Sequence, residues 1–325
     1  MANKKIHDSM LELIGNTPMV RLNKLCKGLS SEILVKLEYM NPSGSLKDRI
    51  ALEMIEAAEK SGELKPGATI VESSTGNTGF ALSSIGRAKG YNVRIYETMP
   101  GKAGSEKAKM MKNVGAEVRL MEPADIEHLR ERSIAGAEVE LPGRQLCLEA
   151  ETENPGKIWW ARQFSNMDNW KSHHVTANEI LEQTDGKLDV FIQSIGTGGS
   201  VAGIAEVLKK AIPNVKIIGI QPASSKEQWH PGMDFPSTPI KGGIVSKMLK
   251  DAGLLDELVR ITDDQARAMT HRIWEEEGLY CGVSSGANVH FAMEEIKKAA
   301  GKKIRVVTLL CDHMNRYLTD ERYVT

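Results

Sequence analysis

Four short stretches gather residues whose types and spacing can do chemistry. The first is Asn41-Pro42-Ser43-Gly44-Ser45-Leu46-Lys47-Asp48-Arg49. Pro and Gly set a turn, and Ser45 with Asp48 has capping-box spacing, so a helix is predicted from here to about residue 60. Lys47 then lies in the first turn, where the helix dipole disfavours a cation. Such a lysine is either an exposed surface charge or an amine discouraged from protonation and suited to a Schiff base. The second stretch is Ser73-Ser74-Thr75-Gly76-Asn77-Thr78-Gly79, between a strand and a helix. Backbone N–H groups at a helix start, with hydroxyls and an amide beside them, either bind an anion or simply cap the helix.

The third stretch, Gly196-Thr197-Gly198-Gly199-Ser200, leaves an apolar strand and opens a helix. It reads as a phosphate cup or as a tight structural turn. It is neither GxGxxG nor GxxxxGK[ST], so dinucleotide and P-loop readings lack their fingerprint. The fourth, Cys281-Gly282-Val283-Ser284-Ser285-Gly286-Ala287, precedes a helix carrying Val289, Phe291 and Ala292. Ser284 is a candidate site hydroxyl or a helix cap.

The elements that must position these residues alternate between strand and helix. Strands are predicted over residues 67–73, 92–96, 117–121, 188–195, 215–220 and 304–311, and helices over 77–89, 105–113, 201–211, 263–277 and 285–300. Runs such as 188–195 are almost continuously apolar, as in strands buried between two helical layers. The alternation predicts an α/β protein with mostly parallel sheets covered on both faces. Residues 123–154 are charged and weakly periodic, and read as a surface or mobile segment between two lobes.

The 325 residues favour two domains or lobes. Lys plus Arg is 42 and Asp plus Glu is 43, a net charge of −1 that argues against a general nucleic-acid footprint. No apolar run approaches the roughly 20 residues of a membrane helix, and no apolar core follows Lys4 and Lys5, so a soluble cytoplasmic protein is expected. Cys26, Cys147, Cys281 and Cys311 are scattered, with neither CxxC nor HExxH in the chain, so reduced thiols and no metal site are expected.

Together, in this order and at this spacing, the four stretches resemble the pyridoxal-phosphate-dependent cysteine synthase and cystathionine β-synthase family, of fold type II (tryptophan synthase β-like). The resemblance begins at Met10-Leu11-Glu12-Leu13-Ile14-Gly15-Asn16-Thr17-Pro18 and reaches Asp312 and Arg316-Tyr317. Glu179-Ile180-Leu181 and Asp185-Gly186-Lys187-Leu188-Asp189 are similar to the cystathionine β-synthase branch. The resemblance implies a smaller, mobile lobe over residues 41–154, with Lys47 and the substrate carboxylate loop. A larger lobe over 1–40 and 155–325 would hold the phosphate loop and Ser284.

Roles follow by the same resemblance. Lys47 matches the lysine that binds pyridoxal 5'-phosphate covalently and acts as the base at Cα. Asn77 matches the residue bonded to the cofactor's 3'-oxygen. Gly196, Thr197, Gly198, Gly199 and Ser200 match the phosphate loop, and Ser284 the serine at the pyridine nitrogen. Ser74, Thr75, Thr78 and Gln163 match positions that bind the substrate carboxylate. The implied reaction is β-replacement on serine, an activated serine or cysteine through an α-aminoacrylate, with sulfide or a thiol as nucleophile. The implied assembly is a homodimer. The alternatives are a cysteine lyase releasing hydrogen sulfide, with serine or pyruvate as co-product, and a non-catalytic binding or regulatory homologue.

Several positions depart from the family pattern. Thr75 stands where cysteine synthases commonly have Ser, and Ser165-Asn166-Met167-Asp168-Asn169-Trp170 replaces an Asn-Pro-rich run. Lys241-Gly242-Gly243-Ile244-Val245-Ser246 replaces a late loop often written Gly-x-Gly-x-x-Phe-x-Pro. Cys311 replaces a frequent Pro, with His313-Met314 beside it. These changes bear on the leaving group and nucleophile, and leave the cofactor residues intact.

Overall fold

The computed structural model describes residues 6–74, 76–97, 106–121, 141–223, 243–250 and 253–318. In chain order the strands are β1 (Met19–Arg21), β2 (Glu32–Leu37), β3 (Thr69–Ser73), β4 (Asn92–Glu97), β5 (Glu117–Leu120), β6 (Ile158–Trp160), β7 (Val190–Ser194), β8 (Lys216–Pro222), β9 (Glu257–Ile261) and β10 (Arg305–Leu310). They form a six-stranded sheet of order β1-β2-β10-β7-β8-β9 and a four-stranded sheet of order β5-β4-β3-β6. Among the described strands only the β1–β2 pair is antiparallel.

The apolar strands of the larger sheet are continuous because both faces are covered. Val190 and Ile192 face one core, with Val306 and Leu310, while Phe191 faces another, with Val307 and Leu309. That is the two-residue alternation of a strand whose faces each pack on a helical layer. The smaller sheet is built the same way. Ile70, Val93 and Ile95 pack with Ile50, Met54 and Ile55 of the helix Lys47–Ser61, and with Leu82 and Ile85 of the helix Asn77–Ala88. On the opposite face Val71, Tyr96 and Trp160 pack on Cys147.

Two expectations change here. Residues 141–153 are not a surface connection: the helix Leu141–Glu153 supplies Cys147 to that second core. Its weak periodicity hid it because charge and apolar residues are mixed around the helix. Residues 122–140 lie outside those described. The four-stranded sheet also takes β6, which lies beyond the border expected at residue 154. Elsewhere the element types agree. The helix expected over 263–277 is Asp263–Arg272 followed by a wider π turn, Ile273–Glu277.

All four cysteines are free and buried. Among the described residues no helix is long and apolar enough to cross a membrane, and no group of His, Cys, Asp or Glu could hold a metal ion.

Candidate active site

The chain just after β10 knits two of the singled-out stretches together. Leu46 N–H donates to the Cys311 carbonyl at 2.9 Å, and His313 N–H donates to that of Gly44 at 3.2 Å. On the other side, Gly282 N–H donates to the Asp312 carbonyl at 2.9 Å. The helix starting at Lys47 and the helix Val283–Lys298, with Ser284 in its first turn, are thus both anchored to residues 311–313.

The expected capping box does not form. The residue before the Lys47 helix is Leu46, which makes no side-chain cap. The Asp48 carboxylate instead accepts from the Ser43 N–H at 2.6 Å and from the Ser43 hydroxyl, because the turn through Gly44 folds back over it. Burial pushes the Asp48 carboxyl up to about 6, against those two hydrogen bonds. Burial likewise lowers the Lys47 ammonium below its usual range, with Cys311 and Asp312 opposing. The structure therefore favours the discouraged amine over the exposed surface charge.

Behind Lys47 stands a buried charge network that sequence reasoning did not single out. Arg49 donates to Glu38 at 2.7 and 2.9 Å and to both oxygens of Glu179 at 2.8 Å. Lys36 meets Glu179 at 2.7 Å. Arg49 is two residues from Lys47, so the network fixes the start of that helix against the larger lobe.

The second stretch brings Ser74, Thr78 and Asn77 to the start of the helix Asn77–Ala88; Thr75 lies outside the described residues. The Ser74 hydroxyl accepts from Gly79 N–H at 2.9 Å and from Gly76 N–H at 3.3 Å. Gln163 joins this loop across the chain, its amide donating to the Ser73 carbonyl at 2.7 Å. Its own N–H donates to Glu72 at 2.8 Å. Asn77 donates through Nδ2 to Asp312 at 2.6 Å.

The third stretch starts the helix Gly199–Ala211, and no side chain caps it. Gly198 takes a left-handed φ of +90°, and among the described residues a Cβ on Gly196 would meet nothing within 4 Å. An uncapped helix start with open backbone is suited to a phosphate dianion. Asn169, unweighed at the sequence level, ties this loop to the substrate side by donating to the Thr197 hydroxyl and to the Gln163 carbonyl. Its only sequence signal was membership of the divergent run after Gln163.

The residues fit a polar, phosphorylated group. Ser73 Oγ, Asn77 Oδ1, Asn169 Oδ1 and Asp312 Oδ1 are buried without a hydrogen-bond partner among the described residues. Such orphans are expensive unless something polar meets them. Burial pushes the Cys311 thiol up, against a hydrogen bond from Gln193 at 3.3 Å and the neighbouring Ser284 side chain. A cavity of about 670 Å³ lined by Met54, Trp159, Met167 and Lys171 lies elsewhere and contains none of these residues.

A lobed α/β fold with a half-buried lysine, a polar loop and an uncapped glycine loop is suited to a phosphorylated aldehyde cofactor. The family model for pyridoxal-phosphate dependent enzymes matches residues 10–312, and the chain belongs to that family. It is 36% identical over 327 residues to a cysteine synthase of Staphylococcus aureus, covering 99% of both chains. It is also 36% identical over 309 residues to cysteine synthase B of Escherichia coli, covering 95% of this chain and 93% of that protein. The solved structure of a cysteine synthase from Entamoeba histolytica superposes with a TM-score of 0.84 at 33% identity, covering 99% of this chain and 92% of that one. A hydrogen sulfide-producing enzyme from Fusobacterium nucleatum gives a TM-score of 0.79 at 35% identity, covering 96% and 100%.

Proposed function

We propose that this protein catalyses pyridoxal-phosphate-dependent β-replacement on serine, an activated serine or cysteine, with sulfide or a thiol as nucleophile. The observation that carries it is the half-buried Lys47, anchored through Leu46 and Ser45 to the strand end that also anchors the Ser284 helix. The full-length cysteine synthase relatives support the substrate class.

In this reading Lys47 holds the cofactor, Gly196–Ser200 its phosphate, Asn77 its 3'-oxygen and Ser284 its pyridine nitrogen. The cofactor, when bound, supplies the electron sink for the pair left at Cα. Ser74, Thr75, Thr78 and Gln163 clamp the substrate carboxylate, which aims Cα–H at Lys47. Burial lowers the protonation of the Lys47 amine, so it can take that proton and later return it. A serine hydroxyl at the ring nitrogen is a weaker acid partner than a carboxylic acid, which favours loss of the β-substituent over transamination. The smaller lobe moves on the larger, the chain forms a homodimer, and the protein works in the cytoplasm; each belongs to this reading through the family resemblance.

A second reading, net release of hydrogen sulfide from cysteine, is favoured by the Fusobacterium nucleatum structure. One panel separates the two: serine, O-acetylserine, O-phosphoserine and cysteine, each with and without sulfide, cysteine and homocysteine, with products identified. Cysteine or cystathionine formation supports replacement. Sulfide release from cysteine alone, with no replacement product, moves the assignment to the lyase. No turnover of any combination by cofactor-loaded protein returns it to a non-catalytic homologue.

A further inference from the structure

We propose that Asp312 is a positioning residue of this reaction: its carboxylate fixes the orientation of the Asn77 amide, and Tyr317 braces that carboxylate. The assignment rests on the reading of Asn77 as a residue that meets the cofactor. Asp312 is 1% exposed, two residues past the end of β10 in the larger lobe. Its Oδ2 accepts from Asn77 Nδ2 at 2.6 Å and from the Tyr317 hydroxyl at 2.7 Å. Asn77 belongs to the smaller lobe, since its helix packs Leu82 and Ile85 on the four-stranded sheet. One carboxylate oxygen thus joins the lobes at the site.

The consequence follows from donor and acceptor chemistry. An amide can be turned end for end with almost no change of shape, so packing alone does not orient it. An ionised carboxylate only accepts hydrogen bonds. Asp312 therefore draws the Asn77 NH2 to itself and turns Oδ1 the other way. That Oδ1 is buried without a partner among the described residues, leaving it as the amide atom free to meet a bound group.

The surroundings are built around this carboxylate. A Cβ on Gly282 would run into Asp312 Oδ1, so a side chain there would displace it. The Ser45–Asp312 bridge and the Gly282 N–H hold its backbone between the Lys47 and Ser284 helices. The same segment also crosses to the smaller lobe through ring contacts. The Arg316 guanidinium lies 4.7 Å from the Phe80 ring centroid, and the Lys107 ammonium lies 4.9 Å from that of Tyr317. Burial lowers both the Arg316 guanidinium and the Lys47 ammonium, and the Asp312 charge opposes it at each.

The test compares Asn77→Ala, Asp312→Ala, Asp312→Asn, Tyr317→Phe and the Asn77→Ala/Asp312→Ala pair, each loaded with pyridoxal phosphate. The readouts are the absorption bands of the bound cofactor and separate kcat and KM values. Expected is a band shift for Asp312→Ala that matches Asn77→Ala. Its kcat falls by up to about 100-fold, as for a misplaced reacting group, with a smaller change in KM. Tyr317→Phe should shift the bands the same way but less. Asp312→Asn should retain more kcat than Asp312→Ala, because its carbonyl still accepts from Asn77. The double variant should lose no more than Asn77→Ala alone. A shifted Asn77→Ala spectrum with a parental Asp312→Ala spectrum, or losses that multiply in the double variant, overturns the proposal and leaves the reading of Asn77 intact. A parental Asn77→Ala spectrum removes that reading and the proposal with it. Should Asp312→Ala not fold, Tyr317→Phe decides: a parental spectrum and kcat overturn the proposal.

Discussion

The Asn169 amide donates to the Thr197 hydroxyl at 3.0 Å, and the same nitrogen donates to the Gln163 carbonyl at 2.6 Å. A fully buried side chain thus spans the glycine loop and the residue proposed to hold the substrate carboxylate. Removing it leaves two buried acceptors unmet, at about 1–3 kcal/mol for such a group. Asn169→Ala is expected to weaken both cofactor binding and amino-acid binding by roughly tenfold. Absorbance titration of the apoprotein with pyridoxal phosphate, and of the loaded protein with amino acids, measures the two separately. Parental values in both would show that Asn169 only fills space.

Lys47→Ala is expected to abolish turnover and to make the cofactor removable by dialysis, with the fold unchanged. The motive is one amine that must both anchor the cofactor and move the Cα proton. Borohydride reduction followed by peptide mapping checks it in the parent, where label should appear on the peptide containing Lys47. Turnover by Lys47→Ala without added amine would refute the assignment.

The sequence carries the element order because strands buried on both faces read as apolar runs and their turns are punctuated by glycine. The run 188–195 and the loop at Gly196 are legible for that reason. The Leu141–Glu153 helix is not, since burial of Cys147 depends on a sheet face that no local pattern announces. Lys47, Asn77 and Ser284 could be singled out by type and motif. Asp312 and Asn169 could not be given roles, because what they do depends on partners 235 and 28 positions away. Asp48 shows the opposite error: its capping-box spacing is real, but a tight turn offers it Ser43 instead.

The buried network around Arg49 makes a stability prediction. Burial raises the Glu179 carboxyl, but hydrogen bonds and charge from Arg49 and Lys36 outweigh it and hold it at about 2. A carboxyl depressed in the fold stabilises the native state above its unfolded value. That contribution is lost as pH falls from about 4.5 towards 2. Glu179→Gln leaves Arg49 and Lys36 short of a buried counter-charge, and is expected to cost about 3–5 kcal/mol. Urea unfolding at neutral pH measures the loss. The difference between parent and variant should shrink as pH is lowered through that window, and a constant difference would show that the Glu179 charge does not contribute.

The glycine loop offers a paired test between a phosphate cup and a tight structural turn. Gly198 takes φ +90°, a region that costs a residue bearing Cβ about 1–2 kcal/mol. A Cβ there would also stand 2.8 Å from Val245 Cγ2 and 3.2 Å from Ile244 Cγ2. Gly198→Ala should therefore lower both the melting temperature and cofactor affinity, whichever reading holds. Gly196 is different: its φ lies outside the left-handed region and its Cβ would meet nothing within 4 Å among the described residues. On the turn reading Gly196→Ala should be silent. On the phosphate reading its methyl enters space that a ligand needs, so cofactor affinity should fall by about tenfold or more, as for a lost charge-assisted hydrogen bond, with the apoprotein melting temperature unchanged. Differential scanning fluorimetry of the apoproteins and pyridoxal phosphate titration give both numbers. Parental affinity in Gly196→Ala would place the phosphate away from residue 196, with the first turn of the Gly199–Ala211 helix as the next candidate.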